Sequence, residues 1–226
     1  QTTDEARRWL RAMKDQASSA NHTWADLLGI PASVAITTVK PSGTVSQLVD
    51  SASGQHARYA EYYIRSVRAD KKDPLALFMR AQGFRVEDAF GQEATTDVFF
   101  FPVKAPKGSV MRDDRTAIEQ LEHYRMLVDE WCEHNASITV FVRDNEWLEV
   151  GAWVHRHFDT LCGVSFLPHS DHTYRQAPYE ECSREEYERA VRALPTLDWE
   201  MLAQFETGDT FSSGREYACT ANACEI

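Results

Sequence analysis

The sequence lacks the features that mark a membrane or secreted protein. None of its apolar runs approaches the roughly 20 residues that a membrane-spanning helix needs. Gln1 begins a polar, charged segment that does not resemble a secretory signal peptide. The five cysteines are an odd number in a chain without such a signal, which argues against a disulfide framework. We therefore expect a cytoplasmic protein with no membrane partner.

Basic residues are also scarce, because 24 Lys and Arg stand against 35 Asp and Glu and leave a formal net charge of −11. A protein that wraps a nucleic-acid polymer needs a basic footprint, so this charge argues against such a partner. It does not exclude a nucleotide, since a phosphate site needs only local donors. With 226 residues, 43% of them hydrophobic and 11% aromatic, the chain is long and apolar enough to bury a substantial core.

One stretch has the pattern of a phosphate-binding loop. The β-branched run at residues 34–39 predicts a strand, Pro-Ser-Gly predicts a turn, and residues 45–49 predict the start of a helix. Glycine would let the backbone approach a ligand closely, the hydroxyls would donate hydrogen bonds, and a helix N-terminus would add amides and a favourable dipole. The alternative is an ordinary turn at the end of a strand, since short Gly/Ser motifs often occur by chance. The candidate phosphate ligands are Pro41, Ser42, Gly43, Thr44, Val45 and Ser46.

Short-range signals predict alternating helices and strands. Asp73 and Pro74 form a good helix start, a capping carboxylate followed by proline at the first helical position. The clearest helix has Asp113 or Asp114 in an acidic first turn. The predicted helices cover residues 3–14, 74–82, 112–133, 145–158 and 183–194, and further strands cover residues 60–67, 98–103, 137–142 and 163–167. This alternation with short linkers implies crossover units and parallel pairing, so the predicted fold class is α/β.

The end of the chain carries two cysteines in the order Cys-Thr-Ala-Asn-Ala-Cys, at Cys219 and Cys224. Residues from 207 onward are rich in Gly, Ser, Thr and Ala, so residues 1–206 are predicted as one segment and residues 207–226 as a flexible tail. Small intervening residues would let the two sulfurs meet, and a flexible tail suits thiol–disulfide exchange. Two unrelated exposed cysteines and half of a zinc site are the alternatives.

The other three cysteines, Cys132, Cys162 and Cys182, have the pattern of small packed hydrophobes. Cys182 lies next to a predicted helix N-terminus, which would lower its pKa. It is therefore the strongest candidate of the three for a reactive thiol.

Residues 37–46, Thr-Thr-Val-Lys-Pro-Ser-Gly-Thr-Val-Ser, resemble the substrate-phosphate loop of the adenosylcobalamin-dependent (class II) ribonucleotide reductases. The resemblance continues in order through residues 62–68, 131–137, 146–151, 163–168, 171–179 and 218–225. It implies the C-terminal portion of the catalytic chain, either a separately encoded half or a truncated piece. It also implies the C-terminal part of a ten-stranded α/β barrel, and a thiyl-radical reduction of ribonucleotides, with triphosphates favoured, to 2′-deoxyribonucleotides. The terminal dithiol of this family re-reduces the active site and is itself reduced by thioredoxin or a similar protein.

Two signatures of the full reductase are missing from the sequence. The Asn-x-Cys-x-Glu motif of the radical cysteine loop does not occur, and neither does the cobalamin motif Asp-x-His-x-x-Gly, which this family does not require. We therefore expect an N-terminal part of the same reductase as partner, adenosylcobalamin bound mainly by or together with that part, and no reduction by this chain alone. Two other readings stay open: an acidic α/β thiol–disulfide exchange module without radical chemistry, and an inert fragment with an exposed sheet edge.

Overall fold

The structure is a computed structural model that describes residues 3–169 and 174–206 together with the backbone of residues 219–220 and 223–224. The helices are α1 (Thr3–Leu28), α2 (Val45–Leu48), α3 (Pro74–Ala81), α4 (Ala117–Glu130), α5 (Trp147–His157) and α6 (Arg184–Arg192), with 3-10 turns at Arg112–Asp114, Phe158–Thr160 and Trp199–Gln204. The strands are β1 (Tyr62–Asp70), β2 (Val86–Asp88), β3 (Thr96–Lys104), β4 (Ser137–Val142), β5 (Gly163–Pro168), β6 (Tyr179–Glu181), β7 (Cys219–Thr220) and β8 (Ala223–Cys224). Among the described residues, no helix combines the length and the apolar character that a bilayer crossing demands.

The chain divides into two compact units. Unit 1 consists of Gln1–Arg58 and Val110–Ser170, and unit 2 of Tyr59–Ser109 and Asp171–Glu225. Each unit is assembled from two separated stretches of chain, so no single linker marks the division, and the sequence shows no internal boundary. The separation of residues 1–206 from a tail at residues 207–226 stays a prediction.

Unit 1 is built around a parallel pair of strands. β4 and β5 align from Ser137 opposite Gly163 to Val142 opposite Pro168, and α5 connects them. This confirms the parallel crossover predicted for these two strands. The core consists of apolar side chains from α4, α5, β4 and the residue before β4, namely Ala117, Leu121, Tyr124, Ala136, Ile138, Val140, Val142, Val150 and Trp153.

Helix α1 packs on α4 through an ion-pair cluster. The buried carboxylate of Glu130, on α4, accepts hydrogen bonds from Arg7 at 2.7 Å and from both Nε and Nη2 of Arg11. These guanidinium groups, Arg11 foremost, hold the pKa of Glu130 at about 2. The helix runs to Leu28 and is about twice as long as predicted. Its second half also makes a tertiary contact, since Asn21 donates a hydrogen bond to the carbonyl of Ser33 at 2.9 Å.

Helix α4 starts later than predicted. The expected acidic first turn at Asp113 and Asp114 is instead a separate 3-10 turn. Thr116 caps the helix, because its hydroxyl accepts from the amide of Glu119 at 3.2 Å and the Glu119 carboxylate accepts from the amide of Thr116 at 2.8 Å. This reciprocal capping box sets the start of α4 at Ala117.

The strand predicted at residues 34–39 does not form. Its extended backbone is hydrogen-bonded to the turn before β4, where Thr37 O accepts from the amides of Glu133 and His134 at 2.9 and 3.0 Å. Val39 O then accepts from the amide of Ser137 at 3.4 Å. These bonds join a turn and one strand end, so they do not make a regular ladder.

Unit 2 contains a four-stranded antiparallel sheet in the order β2-β3-β1-β6. β1 and β3 pair over their full length, from Tyr62 opposite Lys104 to Asp70 opposite Thr96. The expectation of parallel pairing throughout was therefore wrong for β3, because its partner is β1 and not β4. The core of this unit packs α3 against the sheet through Ala76, Phe78, Met79, Phe84 and Phe99.

The combination of helices and strands confirms the predicted α/β class. The described residues form one four-stranded sheet and two two-stranded sheets. They do not show a ten-stranded barrel, which stays a prediction for the assembled protein.

Candidate functional site

The predicted phosphate loop is folded by its own serines. The amide of Ser46 donates to Ser42 Oγ at 3.0 Å, and the hydroxyl of Ser46 donates to Ser42 O at 2.6 Å. Ser46 is buried. Both serine hydroxyls therefore make bonds within the loop, and the role of Ser46 as a phosphate ligand stays a prediction.

The outer side of the loop is formed by Gly43, Thr44 and Val45, which are exposed. A Cβ added at Gly43 would meet nothing within 4 Å, so open space lies in front of this glycine. Thr44 makes no side-chain capping bond to α2. Helix α2 has only four residues, too few for the helix dipole that the sequence predicted at this site. The donors available to a ligand are therefore single groups of the loop.

A second loop, residues 50–58, braces the first one. Ser53 Oγ accepts from the amide of Ser42 at 2.8 Å. Gly54 has φ +58°, and a Cβ there would lie 2.7 Å from the carbonyl oxygen of Lys40, the residue before the loop. Asp50, with φ 50°, accepts from the buried Arg58 at 2.8 Å. Sequence reasoning missed these residues, because small polar residues predict a loop without indicating which contacts it makes.

The brace continues into the outer edge of β4, the edge that does not pair with β5. Gln55 Nε2 donates to Ser137 O at 2.9 Å, and the amide of Thr139 donates to His56 Nε2 at 2.9 Å. Further along the same edge, Gln120 bonds both the amide and the carbonyl of Phe141, at 3.2 and 3.3 Å. Three side chains thus take the place of a neighbouring strand.

A small cavity opens beside this edge. Among the described residues, those that line the cavity are cationic or neutral, and none of them is a carboxylate. They are Gln55, His56, Ala57, Arg112, Arg115, Gln120, His123, Ile138, Thr139 and Phe141. Burial lowers the pKa of both His56 and His123, and the positive charge of Arg115 lowers the pKa of His123 further. Both imidazoles are therefore biased towards the neutral form.

The backbone places the two terminal cysteines opposite each other. β7 and β8 pair antiparallel, with Cys219 aligned to Cys224 and Thr220 to Ala223. Directly opposed residues in such a pair have Cα atoms about 4.5–5.5 Å apart. A disulfide requires a Cα separation of about 4.4–6.8 Å, so this register is compatible with one.

The prediction for Cys182 was wrong in direction. Burial raises the pKa of its thiol, and the carboxylates of Glu186, Glu180 and Glu181 raise it further. Helix α6 begins after Ser183, whose hydroxyl accepts from the amide of Glu186 at 3.2 Å, so Cys182 precedes the helix cap among these carboxylates. Burial likewise raises the pKa of Cys132.

Comparison with known proteins gives matches over almost the whole chain. No protein-family model matches it. The probable adenosylcobalamin-dependent ribonucleoside-triphosphate reductase of Dictyostelium discoideum is 34% identical over an alignment of 213 residues that covers 90% of this chain and 27% of the relative. The adenosylcobalamin-dependent ribonucleoside-triphosphate reductase of Levilactobacillus brevis is 31% identical over an alignment of 224 residues that covers 95% of this chain and 30% of the relative.

A solved crystal structure of a B12-dependent (class II) ribonucleotide reductase superposes with a TM-score of 0.75 at 28% identity. The match covers 90% of this chain and 29% of that chain. The chain therefore spans less than a third of the length of the proteins it matches. These matches confirm the resemblance that the sequence motifs indicated.

Proposed function

Because the chain is similar over about 90% of its length to adenosylcobalamin-dependent (class II) ribonucleotide reductases, we propose that it forms part of such an enzyme. The proposed enzyme is an oxidoreductase that reduces ribonucleoside triphosphates to 2′-deoxyribonucleotides for DNA synthesis by a thiyl-radical mechanism. In this proposal the chain supplies the substrate-phosphate loop and the redox dithiol. The observation that carries the proposal is the braced loop at Pro41, Ser42, Gly43, Thr44, Val45 and Ser46, with its open outer side.

Phosphate binding would use the outer side of that loop. Within the described residues, the amides of Thr44 and Val45 donate no hydrogen bond, and both residues are exposed. The Thr44 hydroxyl adds a third donor. Backbone amides and hydroxyls of this kind bind phosphate oxygens without requiring a net positive protein. An acidic chain is therefore compatible with a nucleoside triphosphate as substrate.

The terminal dithiol would carry electrons. Oxidation of Cys219 and Cys224 to a disulfide releases two electrons and two protons, which reduce an active-site disulfide to two thiols. Thioredoxin or a similar dithiol protein would then reduce the Cys219–Cys224 disulfide by exchange. The opposed register of β7 and β8 supports this role, since it brings the two residues together.

The partner would be the remainder of the reductase, which carries the radical cysteine. Helix α1 is the evidence for a surface that binds this partner, because it exposes four large apolar side chains. They are Trp9 (58% exposed), Met13 (47%), Trp24 (63%) and Leu27 (71%). At 100° per residue these four side chains fall within about 60° of one another on the helix. Exposed large apolar side chains aligned on one side of a helix are typical of an interface. The cytoplasmic location stays a prediction.

Adenosylcobalamin, when bound, would supply the radical that starts the reaction. The small cavity of unit 1, which ten residues line, does not fit a group the size of a corrin. Following the resemblance, we assign cofactor binding mainly to the remainder of the reductase, alone or together with this chain, and to this chain the binding of substrate phosphate and the thiol exchange. The alternative, an acidic thiol–disulfide exchange module without radical chemistry, is not favoured, because it has no use for a braced phosphate loop.

The experiment is a thermal-shift measurement on this chain mixed with the remainder of the reductase, with and without ribonucleoside triphosphate. A ligand that binds only the folded state at 100 times its Kd stabilises by about 2.7 kcal/mol. We expect the shift to disappear with Thr44→Glu, which places a carboxylate where phosphate would bind. The shift should persist with Thr95→Glu, the same change at an exposed threonine of unit 2. Equal shifts in both variants, or no shift in the unaltered mixture, would contradict the proposed site.

A further inference from the structure

His56 has both ring nitrogens committed to backbone groups. Nε2 lies 2.9 Å from the amide nitrogen of Thr139, and Nδ1 lies 2.7 Å from the carbonyl oxygen of Ser53. An amide can only donate, so Nε2 must be the acceptor. A carbonyl can only accept, so Nδ1 must carry the proton and donate. The geometry therefore requires one neutral tautomer, with hydrogen on Nδ1.

These two bonds connect the phosphate loop to β4. Ser53 accepts the Ser42 amide through its hydroxyl and the His56 ring through its carbonyl. The ring then accepts from Thr139 in the middle of β4. The connection from loop to strand thus runs through Ser42, Ser53, His56 and Thr139, and the imidazole is its only titratable member.

The surroundings oppose a positive charge on this ring. The charged and titratable groups lining the same cavity are Arg112, Arg115 and His123, with no carboxylate among the described residues there. Arg58, two residues along the chain, is paired with Asp50. Protonation would also turn Nε2 from an acceptor into a donor that faces the Thr139 amide. The ring can accept a proton only by giving up its bond to β4.

We propose that neutral His56 is a positioning residue that holds the substrate-phosphate loop in its nucleotide-binding conformation, and that protonation of the ring releases the loop. The proposal rests on the proposed function for its effect on substrate. The effect is on substrate affinity and not on the chemical step, because His56 acts through Ser53 and Ser42.

One experiment tests the proposed role of His56 without any nucleotide. In this chain labelled with 15N, we expect the His56 ring at pH 7.5 to be the neutral tautomer with hydrogen on Nδ1. Below a pH of about 6.5, the ordinary pKa of histidine, the amide signals of Thr139 and Ser42 should shift together with the ring. A ring with hydrogen on Nε2, or a charged ring at pH 7.5, would contradict the proposed role of His56. A Ser42 amide signal that does not change while the ring titrates would also contradict it. This measurement decides the question even if the proposed reductase function fails.

A second experiment uses the reconstituted reductase. We expect the KM for ribonucleoside triphosphate to rise roughly 5- to 10-fold between pH 7.5 and 5.5, as for the loss of one buried hydrogen bond. His56→Gln keeps an acceptor near the Nε2 position but does not titrate, so it should remove this rise. His22→Gln, at an exposed histidine on α1, should leave it unchanged. The pH dependence of kcat should be the same in all three proteins. An identical rise of KM in His56→Gln would overturn the proposal.

Discussion

Replacing Gly54 by alanine should destabilise the brace behind the proposed phosphate loop by two separable effects. The residue has φ +58°, where an L-residue costs roughly 1–2 kcal/mol. Its new Cβ would lie 2.7 Å from the carbonyl oxygen of Lys40, a backbone atom that can yield only if the segment before Pro41 moves. Overpacking of this kind costs about 1–3 kcal/mol. We expect a total loss of about 2–5 kcal/mol in the free energy of unfolding.

Gly29 offers a matched control. It has φ +64° but nothing within 4 Å of an added Cβ, so Gly29→Ala carries the backbone cost alone. Denaturant unfolding of the two variants should differ by about 1–3 kcal/mol, the contribution of the clash. In the mixture with the remainder of the reductase, only Gly54→Ala should reduce the thermal shift produced by ribonucleoside triphosphate. Equal losses of stability, or an unaltered nucleotide response in Gly54→Ala, would refute this reasoning.

Three further changes probe the contacts described above. The Glu130 pKa of about 2, against an ordinary 4.5, means that its stabilisation is present above pH 4.5 and is lost as the pH falls towards 2. Arg11, one of the two arginines paired with Glu130, is 62% exposed. Glu130→Gln should therefore lower the free energy of unfolding by only about 1–2 kcal/mol at pH 7, and it should flatten the acid dependence of denaturant unfolding. Glu149→Gln, at an exposed carboxylate, should match wild type. Ser53→Ala leaves the Ser42 amide without its acceptor, so unfolding should require about 1–2 kcal/mol less and nucleotide affinity should fall. Asp73→Ala removes a helix cap in unit 2, so calorimetry should show a loss of about 1 kcal/mol with no change in nucleotide affinity.

Local signals in the sequence predicted local structure well. Asp73 accepts from the amide of Leu75 with Pro74 at the first helical position, as predicted. The helix predicted at residues 183–194 also begins where expected, with a capping box at Ser183. Such motifs are readable because all of their atoms lie within four residues of one another, so no tertiary contact is needed to recognise them.

Long-range pairing was predicted correctly for β4 and β5 but not for β3. The apolar run of β3 predicts a buried strand, but nothing in its residues tells a parallel partner from an antiparallel one. The run at residues 34–39 has high strand propensity, yet its neighbours supply isolated backbone hydrogen bonds and no ladder. Propensity describes a fit to a sheet and cannot supply the partner strand.

The candidate site shows the same limit. The residues of the candidate loop were predicted from composition and resemblance, and open space lies in front of its Gly43. The inward-turned hydroxyl of Ser46 and the brace through Ser53 and His56 depend on contacts across several residues or across the unit. His56 was not predicted either, because a single histidine in a short polar loop does not indicate which groups it contacts.

The most direct test of the proposed function is reconstitution with two different reductants. This chain is mixed with the remainder of the reductase, adenosylcobalamin and a ribonucleoside triphosphate, and deoxyribonucleotide is measured with either dithiothreitol or thioredoxin as the sole reductant. We predict product with both reductants, none from this chain alone, and a loss of the thioredoxin-driven reaction only in Cys219→Ser and Cys224→Ser. Absence of product with both reductants, although the two parts are folded and associated, would contradict the account and favour a thiol-exchange module.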